Sequence, residues 1–165
     1  MRKTLLLSLF ALALALPAWA IPVPAGKAAV VEAVIGKVTA DEGKGYKNLK
    51  LGQGLAPGTS VKTGANGRVS LRLPDGSVGR IAANTEFLLK AEEKRKGIFT
   101  RLLKGTVRFL VAKQPPGHSF ETEMANAVAA VKGTDPEYGT DGKVDTAKVF
   151  SSGNPVALLF TDSKS

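Results

Sequence analysis

Cysteine is absent from the 165 residues, which excludes disulfides, thiolate metal sites and thiol nucleophiles. Histidine occurs once, as His118, and aromatic residues make up only 6% of the chain, leaving few flat faces on which sugars or bases could stack. After residue 20 no apolar run is long enough to span a bilayer, and no long amphipathic helix appears. There is no G-x-S-x-G, no Walker-type loop and no G-x-G-x-x-G following a strand. What the chain does hold is 18 glycines, 9 prolines and many short β-branched segments between them. That pattern predicts an all-β fold of short strands with glycine-rich turns.

The first twenty residues read differently from the rest. Met1-Arg2-Lys3 gives a positive start, Leu5 to Leu16 is apolar apart from Ser8, and Pro17-Ala18-Trp19-Ala20 supplies a small-x-small site. This predicts a secretory signal peptide cleaved after Ala20, hence an exported protein in the periplasm or outside the cell. No cysteine follows the run to carry a lipid anchor. Basic residues outnumber acidic ones 23 to 14, and removing Arg2 and Lys3 lowers the formal charge from +9 to +7. A surface of that sign attracts anionic polymers of the cell envelope, although solubility alone accounts for such an excess equally well.

Residues 21–28 form an extended leader, and residues 29–134 a β domain followed by an extension over 135–165. Ala29 to Ala40 reads as a strand bent or bulged at Gly36. Gly52, Gly58 and Gly64 recur at six-residue spacing, which suits a solenoid-like or sandwich-like chain that turns often. Val69, Leu71 and Leu73 alternate with Arg68, Ser70 and Arg72 to give the clearest strand. Pro74-Asp75-Gly76-Ser77 then ends it with a turn in which Pro74 presets φ, Asp75 caps and Gly76 accepts positive φ. Val78–Ile81, Thr85–Leu89, Phe99–Leu103 and Thr106–Ala112 are further strands, the last two separated by Lys104-Gly105. Residues 91–97 read as a charged hairpin tip. The alanine-rich stretch 124–131 fits a helix or a buried strand equally well. Residues 135–165 are polar until Pro155 to Phe160, which read as a last strand.

Candidates for chemistry are few. His118 beside Ser119 lies in a proline-glycine loop without the strained turn a nucleophile needs. Glu92-Glu93 and Glu121/Glu123 are paired carboxylates whose separation nothing in the sequence fixes. Asp135, Glu137, Asp141 and Asp145 are hard oxygen ligands but miss the spacing of a calcium loop. No cofactor is implied. The informative residues are basic: Arg68 and Arg72 on the outward side of one strand and Arg108 on another could form a row that forks onto carboxylates or phosphates. A solvated charged face is the alternative reading of the same three residues. Nucleic acid is not expected as a partner, because stacking aromatics are scarce on that face.

With these residues in place a family likeness is visible. The run LxxGxxLxxGxxVxTGxxGRVxLxLPDGSxxRIAxNTEF over about residues 49–87, LLKGTVRFLV over 102–111 and SFETEMANAVAAVKGT over 119–134 together resemble the periplasmic FecR-type domain. VVEAVIGKV resembles its first strand. The pattern marks Gly64, Gly67, Arg68, Pro74, Asp75, Gly76, Ser77, Asn84, Gly105, Gly133 and Thr134 as residues that specify the fold. The likeness departs after Thr134, where Asp135-Pro136-Glu137 stands in place of an apolar strand. The resemblance implies a solenoid-like all-β domain that binds rather than catalyses. The best-known members relay iron-uptake signals through a cytoplasmic segment and a membrane helix, which this sequence lacks. It therefore resembles the freestanding exported copies, with an envelope protein or anionic envelope polymer as partner. The alternatives are a carbohydrate- or peptidoglycan-binding module, for which Tyr46 and Tyr138 are the expected exposed aromatics, and a small hydrolase.

Overall fold

Alternation of apolar and polar side chains becomes sheet in the computed structural model, which describes residues 21–91 and 96–150 and the strand backbone of 157–160. The expected signal segment, Glu92-Glu93 and Pro155-Val156 lie outside the described residues. Fourteen strands are present and no helix occurs among the described residues: β1 (Ala29–Ile35), β2 (Val38–Asp41), β3 (Lys47–Asn48), β4 (Gly54–Leu55), β5 (Ser60–Thr63), β6 (Arg68–Arg72), β7 (Val78–Ile81) and β8 (Glu86–Leu89) precede a long β9 (Gly97–Leu110). After it come β10 (Ser119–Glu123), β11 (Ala127–Val131), β12 (Pro136–Thr140), β13 (Asp145–Val149) and β14 (Ala157–Phe160).

β9 organises all of them. Its first half pairs with β8 and, in parallel, with β10. Its second half pairs antiparallel with β7 and β12. One half-sheet therefore runs β3-β2-β5-β8-β9-β10-β11-β14 and the other β4-β1-β6-β7-β9-β12-β13, both antiparallel except at β9/β10. The result is a single all-β domain, a curled sheet folded over its own core. The sequence reads Lys104-Gly105 as a break between two strands; the structure instead carries one strand through that point with a sharp bend. The stretch 124–131, open between helix and strand, ends in β11.

Gly105 makes the bend. It adopts φ +94°, and a Cβ there would lie 2.3 Å from Thr85 Oγ1 and 2.6 Å from Thr85 Cα. Thr85 fills the space: its hydroxyl donates to the carbonyls of Ala83 (3.1 Å) and Thr106 (3.3 Å) and accepts from Thr106 N (3.1 Å). Thr63 completes the corner, its hydroxyl donating to Ala82 O (2.6 Å) and accepting from Thr85 N (2.9 Å). Asn84 reaches φ +52° between them, a left-handed conformation that asparagine tolerates better than most residues. Gly64 O accepts from Gly67 N and Asn84 N, which ties the β5–β6 turn to the same corner.

The core lies between the two half-sheets. Val69, Leu71 and Leu73 are buried, as their alternation predicts, together with Phe87, Leu102, Val107, Phe109 and Phe120. Phe109 is the hub: its ring centroid is 4.8 Å from Phe120, 6.1 Å from Phe87 and 6.2 Å from Tyr138. Gly79 stands opposite Phe109 in the ladder, and a Cβ at Gly79 would come within 2.9 Å of that ring. The glycine inside β7 is thus a seat for an aromatic side chain. The Pro74–Ser77 turn is fixed by Asp75, which accepts from Ser77 N (2.9 Å), Ser77 Oγ (2.7 Å) and Gln114 Nε2 (2.7 Å). Ser77 Oγ in turn accepts from Ala112 N (2.9 Å), so the turn holds the segment leaving β9. Farther along, Thr134 O accepts from Val111 N (3.0 Å).

Replacing Gly105 by alanine imposes a left-handed backbone on a side chain and drives its Cβ into Thr85. Gly105→Ala is expected to lower stability by about 3 kcal/mol or more, read from the urea midpoint at unchanged slope. A loss within about 0.5 kcal/mol would mean that the corner does not constrain β9.

Candidate partner-binding face

The sheet register decides which charged side chains become neighbours. On the outer face of β6, Arg68 and Arg72 stand two pleats apart, and Arg108 lies on β9 with β7 between them. The three therefore do not form one line. Arg72 is engaged already: its Nε donates to Glu32 Oε1, and its Nη1 donates to Gly76 O at 3.3 Å. The position the sequence reading missed is Arg80. It stands opposite Ser70 on one side and directly opposite Arg108 on the other. Arg80 stands in the family-like run over residues 49–87, but only the nonlocal pairing of β7 with β9 sets it against Arg108.

The basic face thus centres on exposed Arg68 and Arg80 and half-buried Arg108, and no carboxylate among the described residues forms an ion pair with any of them. Like charges directly opposite in an antiparallel ladder repel. Arg108 is partly relieved: its guanidinium carbon sits 4.1 Å from the centroid of the Phe150 ring, a cation–π contact. Glu137 flanks Arg108 on β12, but its ion pair is with Lys148 at 3.9 Å. The Nε of Arg108 is buried without a hydrogen-bond partner among the described residues. Leu110 and Phe150 supply exposed apolar surface beside these charges.

On the opposite half-sheet, three cations are tied to carboxylates. Lys62 meets Glu86 at 2.9 Å, and Glu123 binds both Lys90 (3.0 Å) and Arg101 (2.7 Å). The hydrogen bond from Lys62 to Glu86 holds its ammonium above the usual lysine range. The same ammonium lies 4.7 Å above the Tyr46 ring, whose hydroxyl is 3.0 Å from Ser60 Oγ.

Tyr138 corrects the expectation of an exposed aromatic platform. It is fully buried against Phe109, because the alternation Pro136-Tyr138-Thr140 turns one side of β12 to the core. Burial raises its phenol well above the ordinary tyrosine range, and the hydroxyl has no partner among the described residues. Of the acidic quartet, Asp141 caps the β12–β13 turn by accepting from Lys143 N and Val144 N, both at 2.8 Å. Those bonds, with the one from Val144 foremost, lower its carboxyl pKa. Asp145 Oδ2 accepts from Asn126 N at 2.7 Å, and no three acidic or histidine side chains gather as a metal site among the described residues. His118 Nδ1 lies 3.4 Å from Pro116 O, whereas Ser119 Oγ donates to Glu121 Oε1 at 2.8 Å. The serine hydroxyl and the imidazole are not coupled.

The FecR protein family profile matches residues 59–152, more than half of the chain and all of β6 to β13. The chain belongs to the FecR family. This FecR domain also resembles, in fold, two solved structures, at 1.65 and 2.50 Å resolution, of a proposed anti-sigma factor from Parabacteroides distasonis ATCC 8503. In each the TM-score is 0.52 and the identity 17%, over 62% of this chain and 50% of that one. The FecR domain thus spans about half the length of that protein. No curated protein matches it. No helix among the described residues is long and apolar enough to cross a membrane.

An unfolded tyrosine ionises near pH ~10, whereas the folded domain keeps Tyr138 neutral to higher pH. The unfolded chain therefore binds fewer protons above pH ~10, and stability falls as pH rises from there toward the folded value. Tyr138→Phe is expected to stay within about 1 kcal/mol of the parent at pH 7 and to flatten this alkaline decline. Urea melts at pH 7 and above pH ~10 measure both, and an unchanged decline would place the titrating group elsewhere.

Proposed function

We propose that this FecR domain is an exported, non-enzymatic binding module whose recognition surface is the outer face around Arg68, Arg80 and Arg108. Its ligand is anionic: an acidic surface of an envelope protein or an anionic envelope polymer. The observation that carries this reading is the direct opposition of Arg80 and Arg108 in the β7/β9 ladder. Two guanidinium groups so placed repel when empty and together suit carboxylate or phosphate, each offering a planar fork of donors. Arg68, diagonal to Arg80, widens the site, and Leu110 with Phe150 give it an apolar margin. The likeness to a proposed anti-sigma factor supports a protein as ligand. The placement of Ser119 and His118 supports the non-enzymatic part, since the serine hydroxyl bonds a carboxylate rather than the imidazole. The expected cleavage after Ala20 supports export.

The test is capture from an envelope extract at low and high salt, comparing the parent with an Arg80→Ala/Arg108→Ala variant whose circular dichroism is unchanged. Capture is expected to fall about tenfold or more in the variant. A polymer ligand should be released by salt and survive protease, and a protein ligand should be lost to protease. Equal capture by parent and variant would rule out this face.

A further inference from the structure

The curled sheet has four terminal strands, and they differ in how well they are protected. β3 and β4 are two residues long, too short to template another strand. β13 is different. It has five residues, pairs among the described residues only with β12, and is exposed on both sides over most of its length. Val144 (61% exposed), Val149 (45%) and Phe150 (52%) place apolar side chains along it.

The hydrogen-bond phase of β13 is fixed by Phe150 N, which donates to Asp135 O at 3.1 Å. Backbone groups in an antiparallel ladder alternate between one neighbour and the other. Phe150, Lys148 and Thr146 therefore bond toward β12, and the N–H and C=O groups of Ala147 and Val149 point to the open edge. Proline, a bulge or clustered charge would ordinarily guard such an edge; β13 has only Lys148 on its outer side.

We propose that β13 is a docking edge for a second copy of this chain, whose own β13 adds antiparallel with Ala147 opposite the second copy's Ala147. The sequence is self-complementary in this register. On the outer side Val144 meets the second copy's Phe150, and Thr146 meets the second copy's Lys148, each contact occurring twice about the two-fold axis. On the inner side Asp145 faces the second copy's Val149, with one carboxylate oxygen already engaged by Asn126 N. No like charges are opposed. Recentring the pair on Lys148 sets that lysine against its twin, and recentring it on Thr146 places Lys148 over Val144. The seam leaves Arg68 and Arg80 on strands away from it and meets the proposed anion-binding face only at Phe150, which lies over Arg108.

The absence of cysteine makes the register testable with one substitution at a time. Residues exchanging both hydrogen bonds in an antiparallel pair have Cα atoms about 5.5 Å apart, within disulfide range. Under mild oxidation Ala147→Cys is expected to form a covalent species of twice the mass, whereas Thr146→Cys, opposite lysine rather than itself, is not. The unsubstituted protein should show a sedimentation mass that doubles with concentration. Ala147→Pro, which removes only an N–H facing the open edge, should remain a monomer. A monomer at every concentration would overturn the proposal. Equal cross-linking at 146 and 147, or none at 147, would also overturn it, and these two readouts hold even if the proline variant does not fold.

Discussion

One strand serves both half-sheets because Gly105 turns it against the side chain of Thr85. A continuous β9 must leave the first ladder at Lys104, which faces Glu86, and enter the second at Gly105, which faces Thr140. At Gly105 the backbone takes φ +94°, a conformation that only glycine adopts without steric cost. Thr63 and Thr85 satisfy the carbonyls and amides that the bend withdraws from the ladders. Buried backbone groups left unpaired there would each carry a desolvation cost. Core, aromatic hub and outer face all inherit their positions from this crossing, since Phe109 and Arg108 are neighbours on β9 that point to opposite sides.

That inheritance links the core to the outer face. Inward, Phe109 needs Gly79 opposite it to make room for the ring. Outward, the same β7/β9 pairing sets Arg80 against Arg108. A register fixed by packing on one face therefore fixes a charge arrangement on the other, because side chains alternate with period two. The opposite half-sheet ties Lys62, Lys90 and Arg101 to Glu86 and Glu123. The uneven distribution, rather than net charge alone, gives the domain a directed surface.

Much of this was legible in the amino-acid sequence. The alternation around Val69 and Leu71, the Pro74–Ser77 turn and the resemblance carried by the glycine and threonine corners led to an all-β FecR-type domain. Three features were hidden for identifiable reasons. Lys104-Gly105 looks like the tip of a turn, and only the partner ladders show that the chain continues through it. β12 has a period-two pattern in Pro136, Tyr138 and Thr140, but a single strongly apolar side chain, so Tyr138 read as an exposed residue in a polar tail. Arg80 stands in the family-like run, but its opposition to Arg108 comes from a strand more than twenty residues away. Arg72, by contrast, was prominent in its own strand and proves to be held by Glu32.

If the crossing of β9 unites the two half-sheets, they should open together. Native-state hydrogen exchange at Leu102 and Val107, on either side of Gly105, measures this most directly. The account predicts the same opening free energy at both amides, equal to that of global unfolding. One half opening about 2 kcal/mol or more below the other would contradict it, showing that the half-sheets are separate cooperative units joined by a flexible bend.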